Sequence, residues 1–170
     1  MSAAPSEELV THLLILGSNV EPETYLPQAR AAIGARVSVL ATSAVFVSPA
    51  VGAPGTPDFH NQALAITAEK SGESLRAWLR EIEADLHRVR SADRNAPRTI
   101  DIDRAATFVD GLAVADPPVD PELTKYAHLY LPAAEALPDA RLTANGPTLA
   151  DLAASKGPIP AEFSRIPCEE

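Results

Sequence analysis

"LREIEADLHRVRSADRNAPRTIDIDRAATFV", residues 79–109, changes its hydrophobic period midway. Leu75, Trp78, Leu79, Ile82 and Leu86 recur at three- and four-residue intervals, the apolar stripe of an amphipathic helix. "SGES" just upstream supplies a start signal. From Thr99 the period becomes two. Thr99, Asp101 and Asp103 fall on one side of a strand, and Ile100 and Ile102 on the other. The stretch therefore predicts a helix over 73–88, a basic loop, and a strand over 98–109. Asp110-Gly111 closes that strand with the pair favoured in two-residue hairpin turns.

Working outward, "THLLILGSN" predicts a buried strand ended by Gly17-Ser18-Asn19, and "PETYLPQARAAIGA" a helix closed near Gly34. "RVSVLATSAVFVSP" alternates as one long strand stopped by Pro49, and a turn-rich loop leads to a further strand in "NQALAITAEK". The order is strand, helix, strand, strand, helix, strand. It predicts an α+β fold: a ferredoxin-like split βαβ antiparallel sheet with helices on one face. Beyond Ala115 short helices alternate with prolines, which predicts an appended C-terminal helical and loop layer. The whole of 1–170 is expected to form a single domain, with residues 1–10 and those from about 156 to 170 as loose termini.

Composition narrows the function. The 170 residues are 46% hydrophobic and 22% charged, the balance of a globular chain rather than a disordered one. A net charge of -9 opposes attraction to nucleic acid or anionic membrane. No apolar run approaches the roughly 18 residues that span a bilayer. The single Cys168 excludes an internal disulfide and a thiolate cluster. The expectation is a cytoplasmic protein, monomeric or weakly dimeric, acting on small molecules.

Against that acidic background Arg88, Arg90, Arg94 and Arg98 form a local exception. Guanidinium forks bind phosphate oxygens through paired hydrogen bonds, so a mobile arginine loop suits a small, highly charged anion. Asp101 and Asp103 repel one another unless a cation or proton lies between them. Oxygen-only ligands of this kind suit magnesium, whose shell is completed by water and phosphate oxygens. A bare Asp-x-Asp is also common on exposed strands, and the arginines beside this one favour the metal. No Walker-type glycine loop occurs.

The chain resembles the 6-hydroxymethyl-7,8-dihydropterin pyrophosphokinase family. "LGSN", "SAVFVSPAVG" with "PDFHNQAL", "LREIEADLHRVR" and "PRTIDID" occur in the family's order across about residues 14–110. The resemblance implies ATP-dependent transfer of diphosphate to a hydroxymethylpterin, with AMP released, as in folate biosynthesis. It implies that Asp101 and Asp103 hold two magnesium ions on ATP. It also implies that Arg88 and Arg98 contact phosphate and that Arg90 and Arg94 lie in a closing catalytic loop. Glu83, Arg88 and Arg98 fall at the nucleotide site by the same comparison. Ser48, Ala50, Val51, Phe59 and Asn61 fall around the pterin. An asparagine amide and an aromatic face suit a flat heterocycle with amide-like edges.

Several positions depart from the pattern. His87 stands for a glycine, and Asn95 for a tryptophan. Arg104 stands for an aliphatic residue on the adenine side of the strand, which leaves nucleotide preference open. If "LPAAEALP" sets the register, Tyr126 replaces an arginine and His128 replaces the aromatic cover of the pterin. Two alternatives remain open beside the leading one: the same fold acting on a different reduced pterin, and a non-catalytic pterin- or nucleotide-binding paralogue.

Overall fold

The computed structural model describes residues 8–52, 55–70, 72–93 and 95–168. Its centre is β1 (Leu9–Ser18), buried along almost its whole length. The apolar run at 13–16 is continuous because both sides of this strand are covered. Leu14 and Leu16 pack on one side with α1 (Pro22–Gly34) and α2 (Gly72–Asp85). Leu13 and Ile15 pack on the other with α3 (Ala127–Ala136) and with Leu149 of α4 (Leu149–Ser155). Each fully buried leucine contributes about 1.5–3 kcal/mol over an exposed one. Strand phase alone thus sorts the residues into two cores.

The other strands are β2 (Ser38–Thr42), β3 (Val45–Ser48), β4 (Phe59–Glu69), β5 (Asp101–Val109), β6 (Leu112–Ala113) and β7 (Ser164–Ile166). They form a seven-stranded sheet in the order β6-β5-β1-β4-β3-β7, with β2 also on β4. Every pairing between these strands is antiparallel. The fold is a mixed α/β architecture with four helices among the described residues. None of these is long and apolar enough to cross a membrane.

The helices α1 and α2 pack on one face, and the appended C-terminal layer supplies α3, which covers the second side of β1 and β4 through Ala133 and Ala136. Three expectations need correction. The expected long strand over 36–49 is two strands. At Ser43 only half of the ladder remains: its N–H donates to the Ala63 carbonyl at 2.9 Å, while its Oγ accepts the Ala63 N–H at 2.9 Å and donates to the Ala44 carbonyl at 2.7 Å. The register on β4 slips by one residue there. The tail is not wholly loose, because β7 pairs with β3 and Arg165 grips Glu135 through two hydrogen bonds of 2.8 and 2.9 Å. At the other end β1 already includes Leu9 and Val10, while residues 1–7 lie outside those described.

Two local details position the site. Asp110 and Gly111 both take positive φ (50° and 78°), the two-residue turn that joins β5 to β6. A bulge in β5 lets Leu13 face Ala106 while Leu14 faces Arg104, so Ala105 is the extra residue.

Candidate active site

The site is a row across three neighbouring strands. Gly17 on β1 lies opposite Asp101 on β5 and opposite Asn61 on β4, and Ile15 lies opposite Asp103. Directly paired residues share a face, so Asp101, Asp103, Gly17 and Asn61 all turn towards α3. A Cβ at Gly17 would stand 2.8 Å from Asn61 Oδ1. Only glycine admits the amide there, which explains one letter of the "LGSN" signature.

Around this row lies a hollow of about 290 Å³. The six residues expected around a pterin (Ser48, Ala50, Val51, Phe59, Asn61 and His128) all line it, together with Arg98, Asp101 and Asp103. Val51 is 66% exposed and marks its rim. His128 stacks on Tyr126, with ring centroids 5.4 Å apart and planes at 22°. Burial lowers the His128 pKa, opposed by the charge of Glu122. Asp120 and Glu122 also line the hollow, two carboxylates that the sequence reading did not single out.

Asp101 and Asp103 hydrogen-bond to each other, and the Asp103 pKa is raised to about 7. Enclosure by the walls of the cleft is the largest cause, although the side chain still meets solvent; the Asp101 charge follows, then their shared hydrogen bond, Glu83 and Asp120. Such a pair wants a proton or a cation between its members. The donor set is oxygen only, and no cluster of three or more acidic, histidine or cysteine ligands exists among the described residues. Two carboxylates with the remaining positions left to water and phosphate fit magnesium.

Asn19 pins the exit of the arginine loop. Its Oδ1 accepts the Arg98 N–H at 2.8 Å, and its own N–H donates to the Arg98 carbonyl at 3.2 Å. Arg98 then reaches Asp101 Oδ2 at 3.2 Å and lies 5.8 Å from the centre of the Phe59 ring. One guanidinium thus touches both the acidic pair and the aromatic wall. The sequence carried this only as an unexplained asparagine after the first strand.

Glu83 makes a second clamp. Its buried carboxylate accepts the Ile102 N–H at 2.8 Å through Oε1 and Arg90 Nη2 at 2.6 Å through Oε2. Ile102 is the residue between the two aspartates, so one helical side chain ties β5 to the arginine loop. Arg88, Arg90 and Arg98 surround a further hollow of about 340 Å³. Nε and Nη1 of Arg88 are buried without a hydrogen-bond partner among the described residues, which suits an incoming anion. Burial lowers the Arg88 pKa, and the Arg98 and Arg90 charges add to this against Asp101 and Glu83. Arg94 lies outside the described residues.

His87 has φ of 67°, where the family pattern has glycine. It closes α2: its N–H donates to the Ala84 carbonyl, and the Arg88 N–H to the Glu83 carbonyl, a Schellman cap with a left-handed residue. The strain is that of a side chain in a glycine conformation.

On the α2 side of β5 opens a larger hollow of about 850 Å³. Glu83, Arg90, Asp103 and Arg104 line it, so Asp103 belongs to both hollows. A ligand held at Asp103 can extend into either.

The sequence profile of the family described as 7,8-dihydro-6-hydroxymethylpterin-pyrophosphokinase (HPPK) matches residues 13–141. Among solved structures, the fold is similar to that of Plasmodium falciparum HPPK-DHPS wild type with pteroate. The TM-score is 0.66 at 9% identity, over 91% of this chain. The chain spans 43% of the length of that protein.

Proposed function

This chain belongs to the 7,8-dihydro-6-hydroxymethylpterin-pyrophosphokinase family, and on that premise we propose that it transfers diphosphate from ATP to the hydroxymethyl group of a reduced pterin, releasing AMP. The observation that carries the reading is the row Asp101–Gly17–Asn61. It brings an acidic pair, an amide and the Phe59 wall to one hollow of about 290 Å³.

In this reading Asn61 supplies donor and acceptor to the pterin's amide-like edge, and Phe59 lies against its ring face. Ser48, Ala50 and Val51 close the far side, and His128 with Tyr126 forms the cover. Asp101 and Asp103 would hold magnesium, two ions by the family resemblance, and the metal would supply charge neutralisation for the triphosphate. Arg98 and Arg88 hold the diphosphate that moves, and Arg90 and Arg94 close over it. The pterin hydroxyl oxygen forms its new bond to the β-phosphorus, the bond from β-phosphorus to the α–β bridging oxygen breaks, and that oxygen leaves on AMP. The proton leaves the hydroxyl to solvent. Glu83 keeps Ile102 and Arg90 in register while this occurs. Positioning and electrostatics carry most of the barrier reduction.

Mixing protein, ATP, magnesium and hydroxymethyldihydropterin is the test, with AMP as the product measured. Asp101→Ala or Asp103→Ala should abolish turnover and leave pterin affinity intact. Asn61→Ala should weaken pterin binding by about 1–3 kcal/mol. Pterin binding without AMP release would overturn the catalytic reading and leave a binding protein. A different reduced pterin is the second reading, favoured by Asp120 and Glu122 on the wall and by the Tyr126–His128 stack. Turnover of another reduced pterin alcohol in preference to the hydroxymethyl compound would establish it.

A further inference from the structure

Arg104 leaves β5 on the α2 side, and two hydrogen bonds set its guanidinium. Nη1 donates to Thr107 Oγ1 and Nη2 to the Pro118 carbonyl, both at 3.2 Å. In a regular strand, residues three apart point to opposite faces. The bulge at Ala105 adds one residue and brings Arg104 and Thr107 out on the same side.

Thr107 is fixed from behind. Its hydroxyl lies 2.8 Å from Nδ1 of the fully buried His12, whose Nε2 lies 2.9 Å from the Glu69 carbonyl. A carbonyl only accepts, so Nε2 carries the hydrogen. Burial lowers the His12 pKa, and the Arg104 charge adds to this against the Glu69 hydrogen bond, so the ring is neutral. Nδ1 therefore accepts, Thr107 donates to it, and the hydroxyl lone pairs face the guanidinium. A polar line thus runs from the end of β4 through β1 and β5 to Pro118.

Pro118 lies in a strap. After β6 the chain returns along the outer edge of β5, where the Val114 N–H donates to the Thr107 carbonyl at 2.9 Å and the Asp120 N–H to the Ala105 carbonyl at 2.8 Å. Between those bonds Pro117 and Pro118 have no N–H to offer. The Arg104 guanidinium fastens that stretch instead. Burial lowers its pKa, and the charges of Asp116 and Asp120, on either side of the two prolines, oppose this. Asp116 and Pro117 line the larger hollow, whereas Asp120 and Glu122 line the smaller one. The strap therefore passes from one hollow to the other, and Arg104 holds it at the crossing.

We propose that Arg104, set by Thr107 and His12, is a positioning residue for the pterin site, fixing the strap that places Asp120 and Glu122 on the wall of the smaller hollow. The inference rests on taking that hollow as the pterin site. Without the guanidinium, residues 115–119 are tied to β5 only by the bonds at Val114 and Asp120, and each residue that must be ordered again on binding costs conformational entropy. The cost falls on the pterin, because the phosphates have Arg88, Arg90 and Arg98 around a separate hollow.

The test compares Arg104→Met, Thr107→Val and Thr107→Ser with the wild type as intact proteins, each with a cooperative melting transition. Thr107 lines neither hollow, so Thr107→Val acts only through Arg104 and His12, and Thr107→Ser keeps the hydroxyl. Without ligand, amide exchange at Asp120 should quicken at least about tenfold in Arg104→Met and Thr107→Val, beyond any change at Leu64 in β4. With magnesium and a non-hydrolysable ATP analogue present, the Kd for hydroxymethyldihydropterin should rise at least about fivefold in both, while the Kd of the analogue alone moves less than about twofold. Thr107→Ser should match the wild type in every readout. Equal weakening of both ligands overturns the inference, by making Arg104 a nucleotide contact or a general prop of the fold. So does an Asp120 amide that exchanges as in the wild type, one released with pterin affinity unchanged, or a Thr107→Ser as impaired as Thr107→Val. Each of those outcomes, in a protein that binds pterin and releases AMP, sinks this inference alone. A wild type that binds no pterin sinks the pyrophosphokinase reading and takes this inference with it.

Discussion

Replacing Glu83 separates a backbone clamp from an ion pair, because its two oxygens have different partners. Oε1 takes the Ile102 N–H and Oε2 takes Arg90. β6 pairs with β5 only at Phe108 and Val109, so among the described residues no strand lies on the outer edge of β5 beside Ile102. Glu83 stands in for that strand. In Glu83→Ala the Ile102 N–H is left unmatched in a buried setting, costing about 1–3 kcal/mol. The Arg90 pair adds little, since Arg90's side chain is 55% exposed while that of Glu83 is 3% exposed, and such half-exposed pairs contribute about 0–1 kcal/mol. The total for alanine is about 1–4 kcal/mol, or a loss of about 2–15 °C in Tm for a chain of this size. Glu83→Gln keeps an amide oxygen for Ile102 and should cost about 1 kcal/mol or less. Urea denaturation with unchanged m-values measures both. If glutamine costs as much as alanine, the ion pair holds the strand and the clamp reasoning is wrong.

Further outcomes follow from single contacts. Gly17→Ala places a methyl 2.8 Å from Asn61 Oδ1 and should reduce pterin affinity at least about tenfold, within the range for disturbing a buried polar contact; unchanged affinity in a fluorescence titration would remove Asn61 from the pocket. His87→Gly relieves a φ of 67° worth about 1 kcal/mol. It loses the edge contact with Tyr25 and gains unfolded-state entropy, so Tm should rise by at most about 2 °C, and a clear fall in the melting scan would show that the ring contact matters more. Asp103 is raised to about 7. A carboxyl whose folded pKa exceeds its unfolded value of about 3.9 holds its proton longer when folded, so this group's contribution falls as pH rises through that window without metal. Magnesium needs the pair deprotonated, so its stabilisation of Tm should grow between about pH 5.5 and 8. A magnesium effect independent of pH would take Asp103 out of the metal site.

Much of the site was legible because its residues announce their phase locally. Ile100 and Ile102 alternate with Thr99, Asp101 and Asp103, and this period holds whatever packs on either side. The acidic pair does share a face, and the aromatic and amide partners quoted from 57–64 do line the same hollow. The Asn19–Arg98 clasp and the Glu83–Ile102 clamp were not legible. Each joins residues far apart in sequence, and neither asparagine nor glutamate changes its local pattern when it acquires a distant partner. Asp120 and Glu122 escaped notice for the same reason, since their nearness to Asp101 and Asp103 depends on how the chain returns after β6.

From its letters alone this chain determines the period of each element, the acidic pair on one side of a strand, and the basic loop that precedes it. Those are properties of backbone geometry over a few residues. The folded molecule decides that α3 covers the second face, that residues 164–166 pair with β3, and that β2 and β3 part at Ser43. It also turns Arg104 from a strand residue into a wall of the larger hollow. Each of these depends on long-range contacts whose partners satisfy one another's buried polar or apolar groups, and no local pattern carries that information.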